Sequence, residues 1–354
     1  MSILIKNSKV YNGSTQPPKE KDILIKGKFI KKVEKNINRK VDQKIEVQDS
    51  ITTPGFIDIN SGCDHHMNLF RNPSQNEYLE EGITTTIGGT DGLSLAPYRQ
   101  NSKISKNLKI TAGSIFSRVN INWKGFEEYL QSISKLKIGT NFGSFLGYLN
   151  VKSFLENNIK TKKEGLKIIL NQIRKSFKNG ALGISLNLKK PRPEKISLTE
   201  MKEIAKIVSE KNKILAITPN LQKPNETIKN VKEIAKKWNP TIQINTFQPI
   251  KGKTKKFKKL LKNINKKIGK YDINFDINPY KKIKLTPYNI LLDKLIKASI
   301  PKTLENLKEN KHKVIENLKS VTRKKVKILH APDELEHIKG KHIKEIAEGR
   351  NKNQ

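Results

Sequence analysis

The sequence has a single cysteine, Cys63, among its 354 residues. One thiol excludes a disulfide framework and any zinc module built from several cysteines. No run of apolar residues approaches the roughly 18 that a transmembrane helix needs, and the first residues alternate like a strand instead of forming a secretory leader. The sequence therefore predicts a protein without a membrane span, and we expect a cytoplasmic location.

Aromatic residues and arginines are scarce, although the chain is strongly basic. Lys and Arg number 71 against 33 Asp and Glu, a formal net charge of +38, whereas aromatics make up only 6 % of the residues. Arginine is the better residue for phosphate and base recognition, and aromatic rings supply the stacking surfaces for single strands. A lysine-coated, solvated surface is therefore favoured over nucleic-acid binding. The lysine-rich stretch 251–270 keeps a polyanion-binding protein as an alternative.

Residues 1–54 have the pattern of short strands separated by turns, and we predict a small N-terminal β-sandwich module there. From residue 55 onward, strand-like apolar runs alternate with amphipathic helical stretches. The runs cover 55–60, 82–89, 142–149, 180–188, 213–220, 241–247 and 273–280. Such alternation is typical of parallel strands with helical crossovers. Residues 55–354 are therefore predicted to form an α/β, TIM-like (β/α) barrel with a helical C-terminal tail.

The predicted barrel is incomplete, because seven strand-like runs are one fewer than the eight of a closed (β/α) barrel. Unpaired edges at the first and seventh strands are costly unless something covers them. The C-terminal helices, a partner chain or a second copy of this chain could do so. A shortened reading frame is a further interpretation.

Polar residues follow the first two strands of the predicted barrel, where active-site residues of this fold lie. The first run leads to Asp64, His65 and His66, and the second leads to Asp91. We predict Asp64, His66 and Asp91 as metal ligands. Adjacent histidines project in different directions, which disfavours both binding one ion. The competing interpretation is that these are polar loop residues at the mouth of a pocket.

The same segments carry a family resemblance. PGFIDINSGCDHHMNLFRNP and EEGITTTIGGTDGLSLAP resemble the N-acyl-D-amino-acid deacylase (D-aminoacylase) branch of the amidohydrolase superfamily, and NGALGISLNL and FDINPY agree in order and spacing. The resemblance covers nearly the whole chain. It implies a small β-sandwich before a metal-dependent barrel, a zinc cofactor, and hydrolysis of non-peptide C–N amide bonds in small acylated amino acids.

Several ligand positions of the family hold other residues here. The metal-binding histidines after the first strand correspond to Asn60 and Gly62, or in a shifted alignment to Ser61 and Cys63. Asp91 stands at the position of a cysteine ligand. The final aspartate, which serves the family as general base, would follow the last residue of this chain. The resemblance therefore leaves few of the usual zinc ligands.

Later strands show the same replacement. Thr218 and Thr246 stand at the histidines of the fifth and sixth strands, and Asn220 at an arginine that clamps the substrate carboxylate. Tyr148 and Lys152 stand where a histidine and an arginine follow the third strand. Neutral amide and hydroxyl oxygens are poor substitutes for imidazole in zinc binding.

We therefore predict an amidohydrolase-family protein with weak or lost activity, a pseudoenzyme that holds zinc weakly or not at all. Asp276 is a distant candidate for the base. The residues predicted to line a pocket for a small acylated amino acid are Asn60, Gly62, Cys63, His65, Thr90, Tyr148, Lys152, Thr218, Asn220 and Thr246. The alternatives are a non-catalytic ligand-binding or regulatory relic of the family and the lysine-rich polyanion-binding protein.

Overall fold

The structure is a computed structural model of the chain, and it divides into two compact units, Met1–Asn278 and Pro279–Gln354. No helix within the described ranges combines the length and hydropathy that crossing a bilayer requires. The described residues are 1–14, 16–47, 50–102, 104–105, 108, 116, 118–155, 161–188, 196–220, 224–247, 257–258, 261–262, 264, 270–276, 300–319, 327–328 and 333–349.

The N-terminal strands form one five-stranded sheet. Its strands are β1 (Ser2–Val10), β2 (Lys19–Lys26), β3 (Phe29–Glu34), β4 (Gln43–Glu46) and β5 (Ile51–Thr52). The order is β3-β2-β1-β4, and β5 also pairs with β1. β1, β2 and β3 are antiparallel, whereas β4 and β5 run parallel to β1. Leu4, Leu24 and Ile37 form a small core of this sheet. The β-sandwich module and its boundary at residue 54 stay predictions.

A buried carboxylate, Asp22, fastens three parts of this sheet together. It accepts hydrogen bonds from the backbone N–H groups of Asn7 (3.0 Å) and Ile37 (2.8 Å), and the Lys6 ammonium lies 2.8 Å away. Burial alone would raise the pKa of Asp22, but Lys6 and the two N–H donors hold it below its usual value. The folded state therefore favours the ionised carboxylate.

Replacing Asp22 with asparagine should lower the free energy of unfolding by about 2–3 kcal/mol at neutral pH, because charge-assisted hydrogen bonds to a buried group are lost. A carboxyl whose pKa is depressed by folding stabilises the protein above its unfolded pKa of ~3.9 and loses that contribution as the pH falls through its folded pKa. In urea unfolding, the free energies of unfolding of wild type and the Asp22 variant should therefore become more similar below about pH 4. Glu20→Gln, an exposed change on the same strand, is the control.

Eight parallel strand segments follow, in two sheets. The first has the order β6 (Phe56–Asp58), β7 (Ile83–Gly88), β8 (Asn141–Ser144), and the second has the order β13 (Ile273–Phe275), β12 (Thr241–Ile244), β11 (Ile214–Thr218), β10 (Gly183–Asn187), β9 (Leu146–Gly147). Every pair is parallel, and neighbours in space are neighbours in sequence. The strand-like runs predicted from 55 to 275 are thus confirmed, with the run at 142–149 split into two short strands and the start of a helix. Closure of the sheets into a barrel stays a prediction.

Helices separate most of these strands. They are α1 (Asn68–Arg71), α2 (Asn76–Glu80), α3 (Phe126–Ser134), α4 (Tyr148–Lys152), α5 (Lys162–Lys178), α6 (Leu198–Glu210) and α7 (Pro224–Trp238), with a 3₁₀ turn at Ser153–Leu155. Apart from α2, which has no buried residue, these helices contribute apolar side chains to one large core that includes residues of β9 to β12. Helix α6 is capped at Ser197, whose hydroxyl accepts from Glu200 N (3.2 Å) while the Glu200 carboxylate accepts from Ser197 N (2.8 Å).

The described part of the second unit is mostly helical, with one isolated antiparallel bridge between Lys327 and His342. It contains α8 (Ile300–Glu309), α9 (Lys311–Lys319), a 3₁₀ segment (Asp333–Ile338) and α10 (Ile343–Glu348). Most of the lysine-rich stretch 251–270 and the end of the seventh strand-like run lie outside the described residues. The function predicted for that stretch therefore stays a prediction.

Candidate functional site

Polar side chains gather after the carboxyl ends of the parallel strands, the edge at which parallel α/β folds place their active sites. Three groups of contacts are found there. The first joins the end of β6 to the ends of β12 and β13, the second joins the loop after β7 to β11, and the third is buried beneath the loop after β6.

Asn60 is the centre of the first group. Its side-chain amide donates to the Thr246 hydroxyl (2.9 Å) and to the Asp276 carboxylate (3.2 Å), and Thr246 N donates to the other Asp276 oxygen. The amide of Asn245, which is fully buried, donates to Asn60 Oδ1 at 3.5 Å. These bonds bring the first and the last described parallel strands together at their carboxyl ends.

Asp276 is a weaker acid than usual in this environment. Burial raises its pKa, and the charge of Asp58 adds to the rise, although the hydrogen bonds from Thr246 and Asn60 oppose it. Burial likewise raises the pKa of Asp58, whose carboxylate accepts from Asn60 N at 3.0 Å. The role of Asp276 as a base stays a prediction.

Asp91 and Thr218 form the second group. The Thr218 hydroxyl donates to Asp91 Oδ1 at 2.5 Å, and Thr218 is almost completely buried. Asp91 has a φ of 56°, the left-handed region, so the loop turns sharply as it leaves β7. The loop is fixed from below by the buried Ser185 hydroxyl, which donates to Gly89 O (2.5 Å) and accepts from Gly92 N (3.0 Å).

The third group is a buried Asp64–His65 pair. Asp64 Oδ2 accepts from Gly89 N at 2.9 Å and lies 3.5 Å from both the Tyr129 and the Ser144 hydroxyls. His65 Nδ1 lies 3.3 Å from Asp64 Oδ1. Burial opposes ionisation of both groups, yet their mutual attraction lowers the pKa of Asp64 and raises that of His65, to which Asp91 also contributes. Each group therefore favours the ionised form of the other, although Asp64 Oδ1 and His65 Nδ1 form no hydrogen bond.

Glycines make room for this pair. A Cβ on Gly88 would lie 2.5 Å from the Asp64 carboxyl carbon, and one on Gly89 would lie 1.9 Å from Phe145 O. Gly89 also has a φ of 69°. The two glycines at the end of β7 therefore allow the backbone to approach both the Asp64 carboxylate and Phe145, which follows β8.

The three predicted metal ligands differ in their exposure to solvent. Asp64 is buried, His66 is exposed, and Asp91 is half-buried; the rings of His65 and His66 lie 4.5 Å apart at 47°. Among the described residues, no three His, Cys, Asp or Glu side chains form a group that could hold a metal ion. The metal role of Asp64, His66 and Asp91 stays a prediction that this arrangement does not support.

Cys63 is a buried thiol rather than a nucleophile. Burial, with a contribution from the Asp64 charge, raises its pKa to about 12, so the thiolate that nucleophilic attack requires is not populated near neutral pH. Ser61 donates to its sulfur at 3.1 Å. The adjacent Gly62 has a φ of 59° and turns the chain from β6 into the histidine loop.

The remaining predicted pocket residues are distributed over three strand ends. Thr90 is buried beside Asp91, and Asn220 is half-buried two residues after Thr218. The Tyr148 hydroxyl donates to Glu200 Oε1 at 2.9 Å, which directs it toward the start of α6. Lys152 Nζ lies 5.5 Å from the Tyr148 ring centre.

Sequence reasoning missed Asn245 and Ser185. It also missed Tyr129 and Ser144, whose hydroxyls each lie 3.5 Å from Asp64 Oδ2. Asn245 directly precedes Thr246, and Ser185 interrupts an apolar run, so both were visible as polar residues in otherwise buried strands. Tyr129, by contrast, is carried by α3, far from the strand ends in sequence, and nothing local indicates its contact with Asp64.

The chain is similar in sequence to a D-aminoacylase and in fold to several solved structures. No protein-family model matches the chain. A D-aminoacylase from Alcaligenes xylosoxydans xylosoxydans is 21 % identical over 210 residues, which are 58 % of this chain and 42 % of that enzyme. The chain thus matches less than half the length of this relative.

Three solved structures share the fold. A crystal structure of D-aminoacylase, said to define a novel subset of amidohydrolases, has a TM-score of 0.70 at 16 % identity over 99 % of this chain and 67 % of that chain. A D-aminoacylase studied for its binuclear metal centre has a TM-score of 0.67 at 19 % identity. The N-acyl-D-glutamate deacylase of Bordetella bronchiseptica, with zinc and a phosphonate inhibitor, has a TM-score of 0.65 at 16 % identity. The last two cover 78 % of this chain and 58 % of theirs.

The chain therefore has the fold of the amidohydrolases, with parallel strands in sequential order and polar groups at their carboxyl ends. Its sequence is homologous to that of a D-aminoacylase at low identity, and its fold is shared with solved D-aminoacylases and an N-acyl-D-glutamate deacylase. The resemblance found in the sequence is confirmed.

Proposed function

We propose that this protein is a D-aminoacylase-like amidohydrolase in which hydrolysis of amide bonds is weak or lost and a small acylated amino acid is bound at the strand ends. The observation that carries the proposal is the pairing of strand-end carboxylates with neutral donors. Thr218 donates to Asp91, and Asn60 and Thr246 donate to Asp276.

These donors compete with a metal for the carboxylate oxygens, and no three His, Cys, Asp or Glu side chains of the described residues come together as a ligand group. Zinc needs imidazole, thiolate or carboxylate ligands, and a zinc site generates hydroxide only when several of them converge. Here both Asp276 oxygens accept hydrogen bonds from protein groups, and Asp64 accepts from Gly89 N while facing His65. The residues present do not fit the binuclear or zinc centres of the relatives, so we derive no hydrolytic step through a metal.

The same residues suit the binding of a neutral or singly charged small molecule. Asn60 and Asn245 offer amide donors and acceptors, and Thr218 and Thr246 offer hydroxyls close to them. One oxygen of Asn245 is fully buried and has no hydrogen-bond partner among the described residues. A buried acceptor gains from a ligand N–H because leaving it unpaired is costly. An acylated amino acid carries such an N–H on its amide.

The proposal predicts that the purified protein, dialysed against trace zinc and then against buffer, contains well under one zinc per chain by elemental mass spectrometry. N-acetyl-D-amino acids should raise its melting temperature, because a ligand of the folded state stabilises it, without measurable release of acetate. Asn60→Leu should abolish that shift, while Asp272→Asn, an exposed change, should not.

Two results would contradict it. One zinc per chain that disappears in Asp91→Ala, together with turnover of an N-acetyl-D-amino acid, would establish an active metal enzyme. If no member of a panel of N-acetylated D- and L-amino acids changed the melting temperature, the proposed ligand binding would be wrong.

A further inference from the structure

The β2–β3 hairpin ends in an exposed tip of unusual composition. The tip, defined here as residues 26–32, reads Lys-Gly-Lys-Phe-Ile-Lys-Lys, and every one of these residues is exposed. Gly27 turns the chain with a φ of 61°, and its N–H donates to Met1 O at 2.9 Å. The tip is thus held to the start of β1 as part of the sheet.

Two large apolar side chains are exposed to solvent at this tip. Phe29 and Ile30 are each 66 % exposed, and Met1 beside them is 78 % exposed. Consecutive strand residues point to opposite faces, so Phe29 and Ile30 present apolar groups on both sides of the hairpin. Exposed apolar groups that cluster with a polar rim mark contact sites for a partner or a membrane.

The rim of this patch is positive. Lys26, Lys28, Lys31 and Lys32 lie within the seven residues of the tip, which contain no acid. The Lys31 ammonium lies 5.3 Å from the centre of the Phe29 ring. The acids at its margins are Glu34, 3.4 Å from Lys32, and Asp42, near the N-terminal amine at 3.8 Å.

The backbone of β3 is poorly suited to pairing with another strand. In the described part of the chain β3 pairs only with β2, which makes it an edge. Its register steps from Ile25 opposite Ile30 to Leu24 opposite Lys32, leaving Lys31 as an extra residue. Bulges and lysines on an edge strand oppose strand addition, and a net charge of +38 opposes association with a second copy.

We propose that the hairpin tip docks on the surface of an anionic lipid bilayer. Phe29 and Ile30 enter the interfacial layer, and the four lysines, whose long apolar stems can follow them while the ammonium groups stay in water, contact lipid phosphates and carboxylates. Apolar burial and electrostatic attraction together are what interfacial binding requires, and the attraction amounts to about fivefold in affinity for each lysine near an anionic surface. This contact is separate from the strand-end site and does not depend on the proposed function.

The test is sedimentation of the full chain with vesicles of phosphatidylcholine containing about one quarter phosphatidylserine, at near-physiological salt. A Phe29→Ser/Ile30→Ser variant keeps the charge and should bind about tenfold or more weakly, because two large apolar groups no longer leave water. Ile51→Ser, which removes a 61 % exposed side chain from the same sheet, should bind like wild type. Lys28→Gln/Lys31→Gln should weaken binding to anionic vesicles about twenty-five-fold in total.

A fluorescent reporter separates insertion from charge attraction alone. A tryptophan at position 29 (Phe29→Trp) should shift its emission to the blue on anionic vesicles and be quenched by lipids brominated near the headgroup end of the acyl chain. Equal binding of wild type and the Phe29→Ser/Ile30→Ser variant, or an unquenched reporter, would overturn the proposal in favour of general attraction by lysines. If the emission of the Phe29→Trp reporter changed on adding a short DNA duplex but not on adding vesicles, the patch would be assigned to nucleic acid instead.

Discussion

A Gly89→Ala variant should lose about 4 kcal/mol or more of its free energy of unfolding, a large part of the ~5–15 kcal/mol of an ordinary domain. Two effects add. The added Cβ would lie 1.9 Å from Phe145 O, a contact that forces the β7 loop away from the third strand. The residue would also keep a φ of 69°, which costs a non-glycine residue about 1–2 kcal/mol.

Gly13→Ala isolates the second effect. Gly13 has a φ of 80°, and nothing lies within 4 Å of its added Cβ, so only the backbone cost of about 1 kcal/mol remains. Chemical unfolding of both variants, followed by circular dichroism, compares them directly. If Gly89→Ala were no worse than Gly13→Ala, the close approach of the β7 loop to Phe145 would be wrong.

Asp64→Asn should cost about 3–5 kcal/mol, the usual result of removing one partner of a buried ion pair. His65 would then be left buried without its counter-charge, and Gly89 N would keep only a neutral acceptor. The exposed Asp272→Asn change serves as control. At pH 5.5, thermal unfolding should give Asp64→Asn a much lower melting temperature than wild type, and chemical unfolding a much lower free energy of unfolding.

This loss should depend on pH in a defined direction. Folding raises the pKa of His65, so its contribution is complete below its unfolded pKa of ~6.5 and disappears as the pH rises through the folded pKa. Folding lowers the pKa of Asp64, so its contribution disappears only as the pH falls through the folded pKa. The difference between wild type and Asp64→Asn should therefore narrow from pH 5.5 to pH 9. A constant difference would mean that the protonation state of His65 does not change between pH 5.5 and pH 9.

The elements of this fold were predictable where the sequence pattern is local. The apolar runs at β10, β11 and β12 have strand length and lie between helical stretches, and Ser197 with Glu200 forms a capping pair readable three residues apart. The run at 142–149 shows the limit. Its apolar residues continue from β8 and β9 into α4, and hydrophobicity alone does not distinguish a buried strand from the first turn of a buried helix.

The site was predictable in its location but not in its contacts. The chain order of a parallel α/β fold places Asn60, Asp91, Thr218 and Thr246 at one edge, as expected. Which of them pair is decided by backbone direction, as at Asp91 with its left-handed φ, and by residues distant in sequence. The predicted trio of Asp64, His66 and Asp91 illustrates this, since burial of Asp64 and exposure of His66 depend on turns after β6 that spacing does not reveal.

The hydrogen bonds of Asn60 have a consequence for how the chain folds. They join residues 186 and 216 positions apart, and contacts of such long sequence separation form slowly because the entropy of closing the loop is lost before they contribute. The intervening strands and helices can pair with their neighbours along the chain first. The strand ends around Asn60 are therefore expected to assemble in the last step of folding, and a chain released before Asp276 has been synthesised would lack them.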